Sequence, residues 1–178
     1  MRNILVIIIL LICNLAFAQP PKVKESKMLD FVSKKGVIMK FEDFNLPKIK
    51  SAYGNCEVKI RKIVSGEIAK YFLQISKKGK YNTVTSSIAY EDIIEIEKAL
   101  TALKIQATKD ISTRADYLEN KFISDDEFLL GYYVSKNKIT WYMKLDTGND
   151  GTVFLKSDEV IANALKTGRE KITLLKQE

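Results

Sequence analysis

The side chains that most often carry out chemistry are scarce in this chain, and their spacing is unhelpful to catalysis. There is no histidine among the 178 residues. That absence removes Ser-His-Asp and Cys-His nucleophile activation, imidazole proton shuttling and the commonest zinc ligand. The two cysteines are Cys13 and Cys56. Cys13 lies in an apolar leader, so Cys56 has no partner within the mature chain and no base to activate it, and it reads as a small structural residue. Carboxylates cluster twice, at Asp125-Asp126-Glu127 and from Asp146 to Asp150. The second cluster touches the calcium-loop pattern D-x-[DN]-x-[DN]-G-x5-E, but Gly148 stands at its third position and Ser157 where a bidentate Glu is needed. Both clusters read as acidic turns, and no metal or cofactor is expected. What remains is surface chemistry. Lys59, Arg61, Lys70 and Lys80 recur through the first half, and Tyr132-Tyr133 and Trp141-Tyr142 through the second. Cations of that kind could meet an anionic ligand, and outward rings such as Tyr133 and Trp141 could stack on sugars or bases.

One short motif resembles a known catalytic family. Asp146-Thr147-Gly148 follows an apolar stretch, as the Asp-Thr-Gly signature does in aspartic proteases. The resemblance implies a catalytic carboxylate, but that family pairs two such aspartates so that one stays protonated beside the other. Here the motif occurs once, with 30 residues after it. Followed by Asn149-Asp150-Gly151, it reads as a turn.

The elements that must position these residues are organised around residues 86–104, a strand running straight into an amphipathic helix. Ile93, Ile96, Leu100, Leu103 and Ala107 recur at spacings of three and four and form one stripe, with Glu91 and Asp92 in the first turn where the helix dipole favours negative charge. A fainter copy spans 151–168: a strand, Ser157 as N-cap, Asp158 and Glu159, then Ile161, Ala164, Leu165 and Gly168 on the buried side. Ahead of the first helix, 36–44, 57–64, 67–76 and 81–90 alternate as strands. Val37, Met39 and Phe41 are expected inside in the first, Val58 and Ile60 opposite Lys59 and Arg61 in the second, and Tyr71, Leu73 and Ile75 opposite Phe72 in the third. Residues 45–56, holding Pro47, Gly54 and Asn55, read as a loop. Ahead of the second helix come 113–122, a hairpin of 128–135 and 138–145 across Lys136-Asn137, and 152–156. The expected fold is therefore α+β, with two antiparallel β4-α units at 36–110 and 111–178 forming one compact domain.

The N-terminus reads as an export signal. Arg2 precedes an apolar run over 4–15 and the small-residue site Ala16-Phe17-Ala18, which places cleavage before Gln19. Residues 19–35, polar and opened by Pro20-Pro21, read as a flexible leader. The expectation is an exported protein, periplasmic or secreted, with no membrane span once the signal is removed. Charge is unevenly spread, with 15 Lys/Arg against 6 Asp/Glu from Gln19 to Tyr90 and 13 against 16 from Glu91 onward. Such a chain resembles small exported bacterial proteins in general. In element order alone, 36–168 is similar to the Whirly and Pur families of single-stranded nucleic-acid binders, which implies basic and aromatic sheet faces. Export argues against a nucleic-acid partner. The residues point to a non-enzymatic protein that binds a partner or ligand through sheet surface. The second reading is an anionic-polymer binder, with glycan or single-stranded nucleic acid held by Lys59, Arg61, Lys70 and Lys80.

Overall fold

A computed structural model describes residues 26–79, 81–148 and 150–178. The expected signal peptide, Cys13 and Lys80 lie outside the described residues. Two four-stranded antiparallel sheets, each followed by a helix, give the tandem β4-α arrangement. A short helix α1 (Lys27–Val32) precedes them. Sheet A runs in chain order through β1 (Met39–Ser51), β2 (Gly54–Ser65), β3 (Ile68–Lys78) and β4 (Thr83–Ala89), and α2 (Tyr90–Asp110) follows. Sheet B holds β5 (Tyr117–Ile123), β6 (Leu129–Ser135), β7 (Lys138–Lys144) and β8 (Thr152–Phe154), and α3 (Asp158–Leu175) follows.

The stripe expected on α2 is the face that is buried: Ile93, Ile96, Leu100, Leu103 and Ala107 all enter the core. On α3 the buried line is Ile161, Leu165 and Gly168, continued by Ile172 and Leu175. Ser157 is the N-cap of α3, but its side chain makes no capping hydrogen bond. Each helix looks beyond its own sheet. Helix α2 packs on β3 and β4 and also on β5 and β6, while α3 packs along α2 and on β1 and β2 of sheet A. Arg169 Nε meets Glu97 Oε2 at 2.9 Å and Lys104 Nζ meets Asp158 Oδ2 at 2.9 Å across the helix pair. Gly168 lets α3 approach the sheet, since a Cβ there would sit 3.0 Å from Leu73 Cδ1. The sheets themselves touch where β1 ends: Ser51 bridges Leu155, and the Ala52 amide donates to the Phe154 carbonyl at 2.9 Å. One apolar core thus takes in the inner faces of both sheets and both long helices.

Several expectations needed correction. Strand β1 continues through 45–51, which the turn-forming residues had suggested was a loop. Pro47 has no N–H to give the ladder, and the register slips between Leu46 and Ile49, so a bulge absorbs the proline without ending the strand. The extra residue also switches parity: Phe44 and Leu46 face the core before it, and Ile49 after it. The buried side of β1 is consequently opposite to the one expected. Val37 and Phe41 are about half exposed, and Met39 packs on the far face.

The segment expected to be a flexible leader ends in α1. Ser26 caps that helix by accepting from the Leu29 amide, and Phe31 is buried against Ile63, Phe72 and Ala89 on the outer face of sheet A. Lys27 anchors α1 to both units. Its ammonium pairs with Asp92 of α2, and its backbone N–H donates to Asp126 Oδ1 at 2.9 Å. Burial opposes the Lys27 charge, but the hydrogen bond and charge of Asp92 raise its pKa on balance. The Asp126 carboxyl is pushed up, first by burial and then by the charges of Asp92 and Asp125.

Turn chemistry went as expected elsewhere. Lys136 and Asn137 both take positive φ, 51° and 57°, as a type I′ hairpin requires. Between β7 and β8, Leu145 N–H donates to the Gly151 carbonyl at 3.0 Å and closes the connection. Asp146 lies in it against Gly151, whose missing side chain makes room for the carboxylate.

Candidate functional site

Among the described residues, no group of three or more His, Cys, Asp or Glu could hold a metal ion, and no helix is long and apolar enough to cross a membrane. Cys56 is 1 % exposed inside the core, where burial raises its thiol pKa and keeps it protonated. The Asp-Thr-Gly aspartate has no second such aspartate to share a proton with. Helices α2 and α3 leave the outer faces of the two sheets uncovered.

On sheet A, the register places Lys59, Arg61 and Lys70 on the outer face, opposite Val58 and Ile60, as expected from alternation. The patch is less basic than its sequence suggests. Asp43 stands beside Arg61 on β1. It accepts from Arg61 Nε and Nη2 at 2.8 Å each and from Lys59 Nζ at 2.7 Å. The Arg61 fork and then Lys59 hold the Asp43 carboxyl at a pKa of about 2. Lys70, on β3, has no carboxylate partner among the described residues. Beside Lys59 and Arg61 the face continues in hydroxyls and an amide, with Gln74 Nε2 donating to Ser87 Oγ at 2.8 Å and Ser76 bonded to Thr85 at 2.8 Å.

Sheet B presents a different surface. Its alternation splits each adjacent aromatic pair. Tyr132 and Trp141 point inward, their rings 5.0 Å apart, and Tyr132 is fully buried with its hydroxyl donating to Asp110 Oδ2 at 2.6 Å. Burial, together with that bond, lifts the Tyr132 pKa to about 12. Trp141, expected among the outward rings, is 9 % exposed because its strand position opposes Tyr132. Tyr133 is outward, as expected, and Tyr142 lies on the same side of the sheet but is 6 % exposed, its ring covered by its neighbours.

The outward rings form a row across all four strands. Tyr117 of β5 stacks on Tyr133 of β6 at 5.8 Å, and Tyr133 lies 6.3 Å from Tyr142 of β7. Tyr142 is in register with Phe154 of β8, and Phe154 meets Tyr53 of the β1–β2 turn edge-on at 6.2 Å. Gly131 sits in register with Tyr142, and a Cβ there would meet the Asn120 carbonyl at 2.6 Å, so β5 lies close against the strand at that point. The Tyr142 hydroxyl donates to Glu119, which lowers that carboxyl, and Lys121 adds to the effect. Lys121 pairs with Glu119 at 3.1 Å, whereas Lys138, Lys144 and Lys156 have no ion-pair partner among the described residues. Tyr53 is 82 % exposed. With Tyr133, Trp141, Phe154, Lys138 and Lys156 it borders a shallow depression of about 410 Å³.

The row was hidden from sequence reading because its members are scattered. Tyr53, Tyr117 and Phe154 lie outside the two adjacent aromatic pairs that mark the surface in sequence. Only the strand register, together with the contact between the β1–β2 turn and β8, brings them to one surface. Comparison of the chain with protein-family models, curated proteins and solved structures finds no match.

Proposed function

We propose that this is a non-enzymatic, exported binding protein that takes its ligand on the outer face of sheet B. The observation that carries this reading is the row of rings Tyr117, Tyr133, Phe154 and Tyr53, linked through the buried Tyr142, on a face that no described helix covers. Rings held rigidly by a sheet offer apolar contact at little cost in side-chain entropy. The lysines around the row, with Glu119 already paired to Lys121, favour negative charge in the ligand. The ligand chemistry best matched is an acidic glycan: sugar C–H faces lie on the rings, and carboxylates or sulfates meet Lys138, Lys144 and Lys156. The alternative site, the basic face of sheet A, has weaker support because Asp43 already engages both Lys59 and Arg61.

Retention on immobilised alginate, heparin and neutral dextran, eluted with salt, tests the proposal. Tyr53→Ala and Tyr133→Ala are expected to lower retention on the acidic matrices, while Lys59→Gln with Arg61→Gln leaves it nearly unchanged. Loss in the second variant alone would move the site to sheet A. Equal retention by all forms would sink the reading.

A further inference from the structure

The outermost strand of sheet B is free along one side. Strand β5 pairs with β6 through its whole length, from Tyr117 to Ile123. On its other side no hydrogen bond from a described residue closes the backbone. Seven extended residues amount to an open edge of about 23 Å, enough for a full partner strand. Proteins usually blunt such an edge with lysines, a proline or a bulge. Strand β5 has neither proline nor register shift, and its one lysine, Lys121, is matched by Glu119.

The strand is chemically symmetric about Asn120. A second copy laid antiparallel on the edge, with the two Asn120 residues opposite each other, sets Glu119 opposite Lys121, Leu118 opposite Phe122 and Tyr117 opposite Ile123. The two-fold axis makes each of these pairs twice, and each is complementary. Opposite charges meet on the outer face. Tyr117 and Ile123, each 56 % exposed in the single chain, cover one another at both ends. On the inner face Leu118 and Phe122 are already half-buried against the core. There Leu118 of the second copy lands opposite Phe122, which with Ala99 and Ala102 of α2 lines a groove of about 400 Å³. Sliding the partner by two residues, the smallest slip that keeps the faces aligned, would set Glu119 against Glu119 or Lys121 against Lys121. We propose that β5 is the contact through which two copies of this chain pair about an axis at Asn120, joining their B sheets into one of eight strands. The backbone ladder and the apolar matches hold the pair. The charges select its register more than they add affinity, since each exposed carboxylate already lies 3.1 Å from the lysine of its own strand. The pairing stands whether or not the aromatic face binds glycan.

Sedimentation of the full mature protein at micromolar to millimolar concentration, with hydrogen exchange across 117–123, tests the pairing. A monomer–dimer equilibrium is expected, and the β5 amides that do not bond to β6 should exchange more slowly as the dimer fills. Lys121→Glu and Glu119→Lys each set like charges against one another twice, so each should raise the dimer dissociation constant by about tenfold or more. Mixed in equal amounts, the two variants should pair with each other, because the carboxylates of one then face the lysines of its partner. Urea unfolding of each variant alone checks that it is folded. If either is not, the concentration dependence of β5 exchange in the unaltered protein still decides. A chain that stays monomeric at millimolar concentration would overturn the proposal. So would a dimer that leaves β5 exchange unchanged, or folded variants that do not pair when mixed.

Discussion

The most exacting test of the architecture is Leu100→Ala. Leu100 is 3 % exposed on the stripe of α2, in the core shared by both sheets. The substitution removes three carbons, which at about 0.8 kcal/mol per buried CH₂ costs ~2.4 kcal/mol of transfer free energy. The cavity adds to this. If about 50 Å³ remains open, at roughly 24 cal/mol per Å³, the further loss is ~1.2 kcal/mol. Collapse should be poor, because α2 is held between β3 and β4 on one side and β5 and β6 on the other. The expected loss is therefore about 3–4 kcal/mol. Lys98→Ala, two residues away on the exposed side, should cost about 0.5 kcal/mol or less. Urea unfolding followed by circular dichroism measures both. A shared core also requires that probes in the two sheets, Trp141 for sheet B and a label at an exposed site on sheet A, report one transition with one midpoint. Similar losses for the two substitutions would show the buried face to be misassigned. A sheet B transition untouched by Leu100→Ala would refute the shared core.

Three further outcomes follow from local geometry. Gly168→Val should destabilise by about 2–3 kcal/mol in thermal unfolding, since the extra atoms press on the fully buried Leu73, and the combination with Leu73→Ala should recover part of the loss. Lys27→Met should cost about 2–3 kcal/mol, short of the ~3–5 for a fully buried pair because the Lys27 end meets water, and faster proteolysis near Ser26 should accompany it. The Asp43 pKa is depressed to about 2 from 3.8, so its contribution is present above the higher value and disappears as pH falls toward the lower one. With its side chain 35 % exposed, solvent screening limits that contribution to below about 1 kcal/mol, so wild type and Asp43→Asn should differ in urea midpoint near neutral pH and converge in acid.

How much of this could be read in advance depended on whether the determining interaction was local. The helix stripe from Ile93 to Ala107 is fixed by a 3.6-residue period, and the hairpin at Lys136-Asn137 by two residues able to take positive φ. Both survived folding unchanged. Alternation also placed Lys59 and Arg61 on the opposite face from Val58 and Ile60. The same rule failed on β1, where Val37, Met39 and Phe41 made the more apolar side. Which side of a strand is buried depends on what lies over it, and there α1 covers one face while α3 covers the other further along. Pro47 misled for a related reason: a proline stops a ladder locally, but a bulge with enough pairing on either side carries the strand across it.

The functional surface divides along the same line. From the sequence alone came the absence of histidine, the solitary Cys56, the two β4-α units and the rule that one ring of each adjacent aromatic pair must point outward. These need only composition, covalent order and backbone periodicity. Tertiary structure decided which ring of each pair it was, that Asp43 engages Lys59 and Arg61, and that Tyr53 meets Phe154, just over a hundred residues away. Among the described residues it also left Ile68 to Tyr71 of β3 paired with β2 alone, because the chain turns into α2 at Tyr90. Each of these depends on strand register and on the packing of one unit against the other, and such long-range contacts leave no period in the chain.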